Sequence, residues 1–425
     1  MRRVVLHSDC NSFFANAAIV YRPDVKDKPV VVGGDEKARA GIVLAANQLA
    51  KKIYRVKTGE ALYAVRQRCP GLVVVKPDHK LYHKFTGLAR SIYCDYTDQV
   101  EPFGLDEAFI DVTGSTHLFG GGEKIANDIR ARVKEELGIT VSIGVSDCKV
   151  IAKLASDMRK PDFTTVVPRE DLPRKVWPLP VGDLLYVGAA TADKLQLYGI
   201  RTIGDLAKSE RKDVIRWVKS KNGGMIWDYA NGYDSSSVSK FEDCFTDHGM
   251  ETVGHSKVAP RDLVNNDEVW VFLLMLSEAV AMRLREMNQL CRTVQIWLRD
   301  NKLHSFTRQC KPPSPTNSTL EIAKTAMNLF LASYDSFGSP GSTLHPVRAM
   351  GVSGGNWIRE GQFEQLSFFP EERERQRRGH LDHVIDGIRG RFGHKVIARG
   401  ALMADPRLGS CNPKDDHIRT FPGGQ

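Results

Sequence analysis

The alternation of apolar and polar positions divides this chain into short strands and amphipathic helices. Residues 3–8 read as a buried strand, and Ser12 to Val20, rich in Ala and Phe, as a helix. Pro29 to Gly34 reads as a second strand closed by a turn, Gly41 to Leu44 as a third, and Ala45 to Tyr54 as a helix. Leu72 to Lys76 is a further strand. His79 to Tyr96 places Leu81, Phe85, Leu88, Ile92 and Tyr96 at the spacing of one helix face. A hairpin then carries Asp106 and Glu107, followed by a helix over Ile125 to Leu137 and a strand over Thr140 to Val145. Strands and helices mixed in this order predict an α+β fold, with Asp9 and the acidic pair on adjacent central strands.

Prolines at 161, 168, 173, 178 and 180 mark a domain boundary. A small helical unit follows, centred on Leu185 to Leu195 and Gly199 to Leu206, with a glycine turn between helices. Backbone N–H groups at such turns hold phosphate without reading sequence. Asn231 to Ser239 is polar and reads as a flexible linker. Asp267 to Asn288 predicts a long helix. Val294, Ile296 and Leu298 alternate with Thr293, Gln295, Trp297 and Arg299, as in a half-buried antiparallel strand. Leu320 to Tyr334 supplies a second helix and completes a βαβ-type module. Beyond Ile358 the chain reads as a tail with little core of its own, containing one helix apolar at Leu381, Val384, Ile385, Ile388 and Phe392.

A length of 425 residues fits two to four domains, and 42% hydrophobic with 26% charged residues is ordinary globular composition. The net charge of +9 favours a polyanionic partner such as nucleic acid. The eight cysteines form no C-x-x-C pair, so free thiols in a reducing cytosol are expected. The most apolar window, Val269 to Met282, is broken by Ser277 and Glu278 and is too short to span a bilayer. No secretory leader opens the chain, so a cytoplasmic protein without membrane contact is expected.

Asp9 and the pair Asp106-Glu107 each lie at the end of a strand-like run. Carboxylates converging from neighbouring strands suit hard divalent cations, two of them roughly 3.5–4 Å apart in a phosphoryl-transfer site. Turns and helix caps also place aspartates at strand ends, so the acids alone leave both readings open.

Three motifs carry a resemblance. Ser8-Asp9-Cys10-Asn11-Ser12-Phe13-Phe14-Ala15, Gly104-Leu105-Asp106-Glu107-Ala108-Phe109 and Gly144 to Pro161 stand in family order and spacing. Together they resemble the Y-family lesion-bypass DNA polymerases, closest to the bacterial polymerase IV and polymerase V branches, from residue 1 to about 370. The resemblance implies a right-hand-like fold. Its palm would comprise residues 1–20 and 77–168, its small fingers 21–76, and its helical thumb with a helix-hairpin-helix 169–232. A linker at 233–248, an α+β little finger at 249–358 and a tail at 359–425 would follow. It implies template-directed, low-fidelity synthesis from dNTPs on primer-template DNA, with pyrophosphate released. A non-catalytic DNA- and clamp-binding accessory protein on the same fold is the rival reading.

The same resemblance assigns Asp9, Asp106 and Glu107 to two Mg2+ ions, with the Cys10 backbone oxygen beside them. Phe14 takes the place of the steric gate against a ribose 2′-hydroxyl; a core phenylalanine is the alternative, and Phe13 fits that role better. Lys160 matches the lysine that contacts the triphosphate. Departures accompany these matches. Asn11 replaces the second acid after the first strand, and Ala18 replaces a glutamate. The triphosphate-binding threonine, tyrosine and arginine of the fingers read Ala45, Gln48 and Lys51, which keeps a charge but loses the bidentate fork. Gly104 replaces a serine, and Tyr186 a thumb glycine. Gly188 in the helical unit, with Lys257, Arg261, Arg292, Arg299 and Arg308 in the little finger, are candidate DNA contacts. Gln365-Leu366-Ser367-Phe368-Phe369 has the form of a bacterial sliding-clamp peptide after the last folded module. Accessory or recombinase subunits are left open. Arg373, Arg375, Arg377 and Arg378 read as a solvated helix face.

Overall fold

A computed structural model describes residues 2–34, 41–219, 222–241, 252–334, 337, 344–361 and 370–409. The chain divides into two units, with the second beginning at residue 248. The first is built on a sheet of β1 (Val5–Cys10), β5 (Val100–Pro102), β6 (Glu107–Asp111), β7 (Val141–Ser146) and β8 (Thr164–Val166), ordered β5-β6-β1-β7-β8. Strand β1 is central, buried throughout, and antiparallel to both neighbours. The register sets Asp9 opposite Glu107 on one side and Ser142 on the other. The expected adjacency of the acidic clusters is therefore present.

Two layers cover this sheet. Helices His79–Cys94 and Gly122–Leu137 bury Tyr82, Phe85, Ile92, Ile125 and Ile129 against Leu6, Ile110 and Ile143. The buried face of the first helix differs from the predicted one: Leu88 is 42% exposed while Tyr82, Ala89 and Tyr93 are buried. Tyr82 stacks on Phe14 and the Tyr93 hydroxyl meets Ser8 Oγ at 3.0 Å, so aromatic contacts decide which stripe turns inward. On the other sheet face, helix Lys149–Met158 lies against β1 and β7, where Ala152 packs with Val5 and Phe109.

That helix can approach only because of Gly144. A Cβ added there would lie 2.0 Å from the Ala152 carbonyl oxygen, 2.5 Å from the Ser156 nitrogen and 2.8 Å from the Ala155 Cβ. The opposite side of the helix carries Ile151 and Leu154 into a core shared with Leu172, Val176, Leu195, Ile203, Leu206, Val214 and Ile226. The proline-rich stretch is thus no break in packing. The helices Ala189–Gln196 and Ile203–Lys208 flank a turn in which Gly199 has φ +81°. Helices Arg211–Val218 and Asn222–Ala230 complete this layer.

A smaller sheet contains β2 (Val30–Gly33), β3 (Val43–Ala46) and β4 (Val73–Val75), ordered β3-β2-β4. Ala45 and Ala46 belong to the strand, not to the predicted helix. The helix starts at Gln48 because the Asn47 side chain accepts from the Ala50 N–H at 3.0 Å. A helix at Leu62–Arg68, which the hydrophobic pattern did not suggest, closes the core of Val31, Val43, Leu62 and Val65.

The stretch read as a flexible linker is held down at its start. Val238 is buried with Val5 and Phe109, the Ser239 N–H donates to Glu101 at 2.9 Å, and Arg3 donates to the Ser236 carbonyl at 2.8 Å.

The second unit is a sheet of β9 (Thr252–Leu263), β10 (Gln289–Asp300), β11 (Ser305–Cys310) and β12 (Val347–Arg359). Its order is β11-β10-β12-β9, antiparallel throughout. Helices Asn266–Glu286 and Thr319–Ser333 cover one face and bury Val294, Ile296 and Leu298, as the alternation predicts.

The tail differs from its expected character. A helix does span Pro370–Phe392, but Leu381, Val384 and Phe392 on it are 52%, 44% and 71% exposed. Ile385 alone of the predicted apolar set is buried, and beside it the helix buries charge. Asp382 and Arg389 are buried, as are Glu278 and Arg285 on the long helix beneath. Arg389 reaches Glu278 at 3.2 Å, Arg285 reaches Asp386 at 2.6 Å, and Arg399 bonds both Glu278 and Asp382. Apolar anchors follow: Leu402 and Leu408 sit in the core of the unit. The predicted solvated face is also partly engaged, since Arg375 pairs with Glu321 at 3.0 Å.

Gly144→Ala is expected to destabilise the first unit by about 3 kcal/mol, at the upper end of overpacking effects because the obstacle is backbone. Gly87→Ala, on an exposed helical position with nothing near its Cβ, should stabilise by up to about 1 kcal/mol. Urea denaturation followed by circular dichroism reads both; equal midpoints for the two variants would contradict the close approach.

Candidate active site

The acidic residues reach one place by strand pairing. Asp9 closes β1, and Glu107 opens β6 directly opposite. Asp106 precedes Glu107 in a turn that is fastened from outside. Arg90 donates to the Gly104 carbonyl at 2.7 Å and Thr86 to the Leu105 carbonyl at 2.6 Å, while the Cys10 N–H donates to the Asp106 carbonyl at 2.9 Å. Gly104 has φ +95°, a left-handed position that glycine takes without strain, which accounts for the departure from serine there. Tyr186 likewise occupies φ +67°, where the family pattern has glycine.

Asp9 and Asp106 line a cleft of about 280 Å3 together with Cys10, Asn11, Ser12, Phe13, Phe14, Leu44, Ala45, Gln48, Lys51, Thr58 and Lys160. Phe13, Phe14, Gln48, Lys51 and Lys160, the five residues assigned to nucleotide binding, all line it. Phe13 is buried in the core, whereas Phe14 is half-buried, and its ring stacks on Tyr82 at 3.9 Å with 8° between planes. Lys51 donates to Ser12 Oγ at 3.0 Å across the cleft. Asn11 turns to β7, accepting from Ser142 Oγ at 2.9 Å, and so ties the strand ends rather than replacing an acid.

Sequence reasoning passed over Lys153, Asp157, His7 and Ser156 beneath the carboxylates, and assigned Lys160 to the triphosphate alone. Lys153 Nζ lies 2.9 Å from Glu107 Oε1, 3.5 Å from Asp9 Oδ2 and 3.3 Å from Asp157. Lys160 Nζ lies 2.6 Å from Asp9 Oδ2 and 2.7 Å from Asp157 Oδ1. His7 is fully buried, with Nε2 3.2 Å from Glu107 Oε2 but without a well-aligned hydrogen bond, and Nδ1 2.9 Å from Ser156 Oγ. The Ser156 hydroxyl also bonds the Lys153 carbonyl at 2.7 Å. The i, i+4 spacing of Lys153 and Asp157 on one helix face, with Lys160 just past the helix end, was the available signal.

Charge and burial compete at these groups. Burial pushes the Asp106 carboxyl up to about 6, and neighbouring Asp9 and Glu107 push it the same way. Burial also raises Asp9, against the pull of Lys160. Burial opposes ionisation of Glu107 as well, but His7 and Lys153 outweigh it and hold that carboxyl below its ordinary range. Lys51 is lowered by burial and by Lys160.

The donor set is all oxygen, as hard divalent cations require. Asp106 is half-buried beside two further carboxylates and makes no ion pair among the described residues, the kind of charge crowding that a divalent ion relieves. Among the described residues no three His, Cys, Asp or Glu are already set as a metal-ligating group. Asp9 and Glu107 face ammonium groups instead.

The candidate DNA contacts are divided between the two units. Gly188 precedes helix Ala189–Gln196 in the first unit, with open space at its Cα. The other five lie in the second unit. Register places Arg299 opposite Ala349, on the sheet face away from the helices, with its guanidinium 5.2 Å from the Trp297 ring centroid. Lys257 pairs with Met350 and Arg308 with Ile296, both buried, so these belong to the helix-covered side. Arg261 is engaged by Glu268 and Asp405. Arg292 is exposed. The segment Gln365, Leu366, Ser367, Phe368 and Phe369 lies outside the described residues. No helix among the described residues is long and apolar enough to cross a membrane.

Comparison with known proteins agrees with this geometry. The impB/mucB/samB family model matches residues 8–157, and the C-terminal domain of the same family matches 251–368. The DNA polymerase IV of Acetivibrio thermocellus is 47% identical over 408 residues, covering 96% of this chain and 99% of that protein. The DNA polymerase IV of Pelotomaculum thermopropionicum is 37% identical over 403 residues, covering 95% and 96%. The DNA polymerase IV 2 of Bacillus subtilis is 34% identical over 408 residues, covering 94% and 95%. A solved Y-family DNA polymerase chimera of Dbh and Dpo4 shares the fold, with a TM-score of 0.72, 22% identity, and coverage of 84% of this chain and 100% of that one. With both family models matched in order and relatives aligned almost end to end, this chain belongs to the impB/mucB/samB family and is a Y-family DNA-directed DNA polymerase.

Proposed function

We propose that the cleft of the first unit is the nucleotidyl-transfer site of a low-fidelity translesion polymerase. Divalent-metal dependence comes with the family. The finer assignment gives Asp9, Asp106, Glu107 and the Cys10 backbone oxygen to two Mg2+ ions. Bound there, the ions would activate the primer 3′-hydroxyl and neutralise charge on the α-phosphate and departing pyrophosphate. The observation that carries this reading is the meeting of Asp9, Asp106, Phe14, Lys51 and Lys160 around one cleft.

The protein's own groups do the positioning. Lys51 and Lys160 offer ammonium charge to the triphosphate from two sides of the cleft, and Gln48 adds a neutral donor. Phe14, braced by Tyr82, excludes the ribose 2′-hydroxyl. The sheet face holding Gln295, Trp297 and Arg299, with Ala349, Gly351 and Ser353 beside them, suits a DNA backbone. Small side chains there let the duplex come close while Arg299 supplies charge. The segment 365–369 is assigned to the bacterial sliding clamp, its Leu and two Phe filling an apolar pocket. An accessory protein without catalysis would have no use for Asp9 and Asp106 retained in the cleft with Glu107 beside them.

Asp106→Ala is expected to lower Mg2+-dependent primer extension by about a thousandfold, while anisotropy reports unchanged DNA affinity. Extension at the wild-type rate would reject the site and favour the accessory reading. Phe14→Ala should raise ribonucleotide incorporation about 10–200-fold relative to deoxynucleotide, read on a gel with single nucleotides. No change would return Phe14 to the core. A peptide spanning 362–371 should bind a bacterial sliding clamp and lose binding on Leu366→Ala with Phe368→Ala; absence of binding by the parent peptide removes the clamp assignment.

A further inference from the structure

Two lysines surround the acidic trio, and their contacts are unequal. Lys153 is 15% exposed and fixed from below, with Glu107, Asp9 and Asp157 all within reach of its ammonium. Lys160 is 31% exposed at the cleft and is shared between Asp9 at 2.6 Å and Asp157 at 2.7 Å. Asp157, 47% exposed, touches both lysines. No ion pair to Asp106 occurs among the described residues, so both ammonium groups serve the Asp9–Glu107 side of the trio. As they stand, these carboxylates are satisfied by lysine and are not set for metal.

We propose that Lys153 and Lys160 are built-in counter-cations of Asp9 and Glu107, and that a triphosphate entering the cleft opens Asp9 to metal by drawing Lys160 away. The inference rests on the polymerase reading of the cleft and adds an order of loading to it. Lys160 has the exposure and the flexible stem to exchange one anion for another, and Lys153 does not. Asp157 keeps Lys160 at the site during the exchange, as a positioning residue. Lys51 stands across the same cleft on Ser12 and repels Lys160, so an anion between them gains from both. Whatever draws Lys160 from Asp9 raises the cation affinity of Asp9, and by linkage a cation at Asp9 favours the displaced lysine.

The test is Mn2+ binding to the full chain, without DNA or nucleotide, followed by electron paramagnetic resonance. Binding at the site is the part lost in Asp106→Ala. Lys160→Gln should bind Mn2+ about tenfold more tightly than wild type, within the usual range of coupling between sites. Lys160→Arg, which keeps the charge, should stay as weak as wild type. Thermal melting verifies folding, and Lys160→Ser replaces the glutamine variant if that one melts early. Equal or weaker Mn2+ binding by the uncharged variants overturns the exchange. If that result accompanies an Asp106→Ala enzyme that has lost primer extension, the polymerase reading stands and only the loading order falls.

Discussion

The site depends on a backbone contact: helix Lys149–Met158 pressed against β7 at Gly144, with no room for a single carbon between them. The contact sets the depth of the helix over β1. From that depth Lys153 reaches Asp9 and Glu107, and Ser156 reaches His7. Any side chain at 144 would lift the helix and carry its ammonium groups away from the carboxylates. The same helix shares its outer face with the helical layer beyond, so one segment joins the core beneath the carboxylates to the layer that carries Gly188, a candidate DNA contact. A glycine in a strand usually weakens it. Here the loss is offset by a helix–sheet approach that an added Cβ would obstruct.

Much of this was legible in sequence because strand positions are cheap to read. The runs around Asp9 and Asp106-Glu107 gave β1 and β6, and antiparallel neighbours put the acids together. The alternation at Val294, Ile296 and Leu298 likewise gave the buried face of β10. Legibility failed where the deciding contact was not apolar periodicity. The stripe on His79–Cys94 was chosen by tyrosines that stack and hydrogen-bond. The start of Gln48–Tyr54 was set by an asparagine cap. Lys153 looked like any helical lysine until the sheet showed what lay beneath it. The basic residues of the second unit show the reverse error: charge in sequence says nothing about which sheet face carries it, and register parted Arg299 from Lys257 and Arg308.

The departures from the family pattern fall into two kinds. Gly104 and Tyr186 exchange residues at positive φ, where backbone conformation decides what is tolerated. Ala45, Gln48 and Lys51 change what the cleft offers a triphosphate. A threonine hydroxyl, a phenol and a guanidinium give way to a methyl, an amide and an ammonium. The charge and one amide donor survive while the hydroxyl, the phenol and the guanidinium fork do not, which on the proposed reading means a looser hold on the nucleotide and a greater share of positioning for template pairing.

The residues beyond 369 carry an unexpected weight. Leu402 and Leu408 fill the second unit's core, and Arg389 and Arg399 neutralise a glutamate buried in its long helix. A stop codon shortly after residue 369 would spare every catalytic side chain and the segment assigned to the clamp. It would still strip two apolar anchors and leave Glu278 buried without its guanidinium partners, a cost of about 3–5 kcal/mol for the orphaned charge alone. Late nonsense alleles of this polymerase would therefore behave as folding mutants, with loss of protein preceding any loss of chemistry.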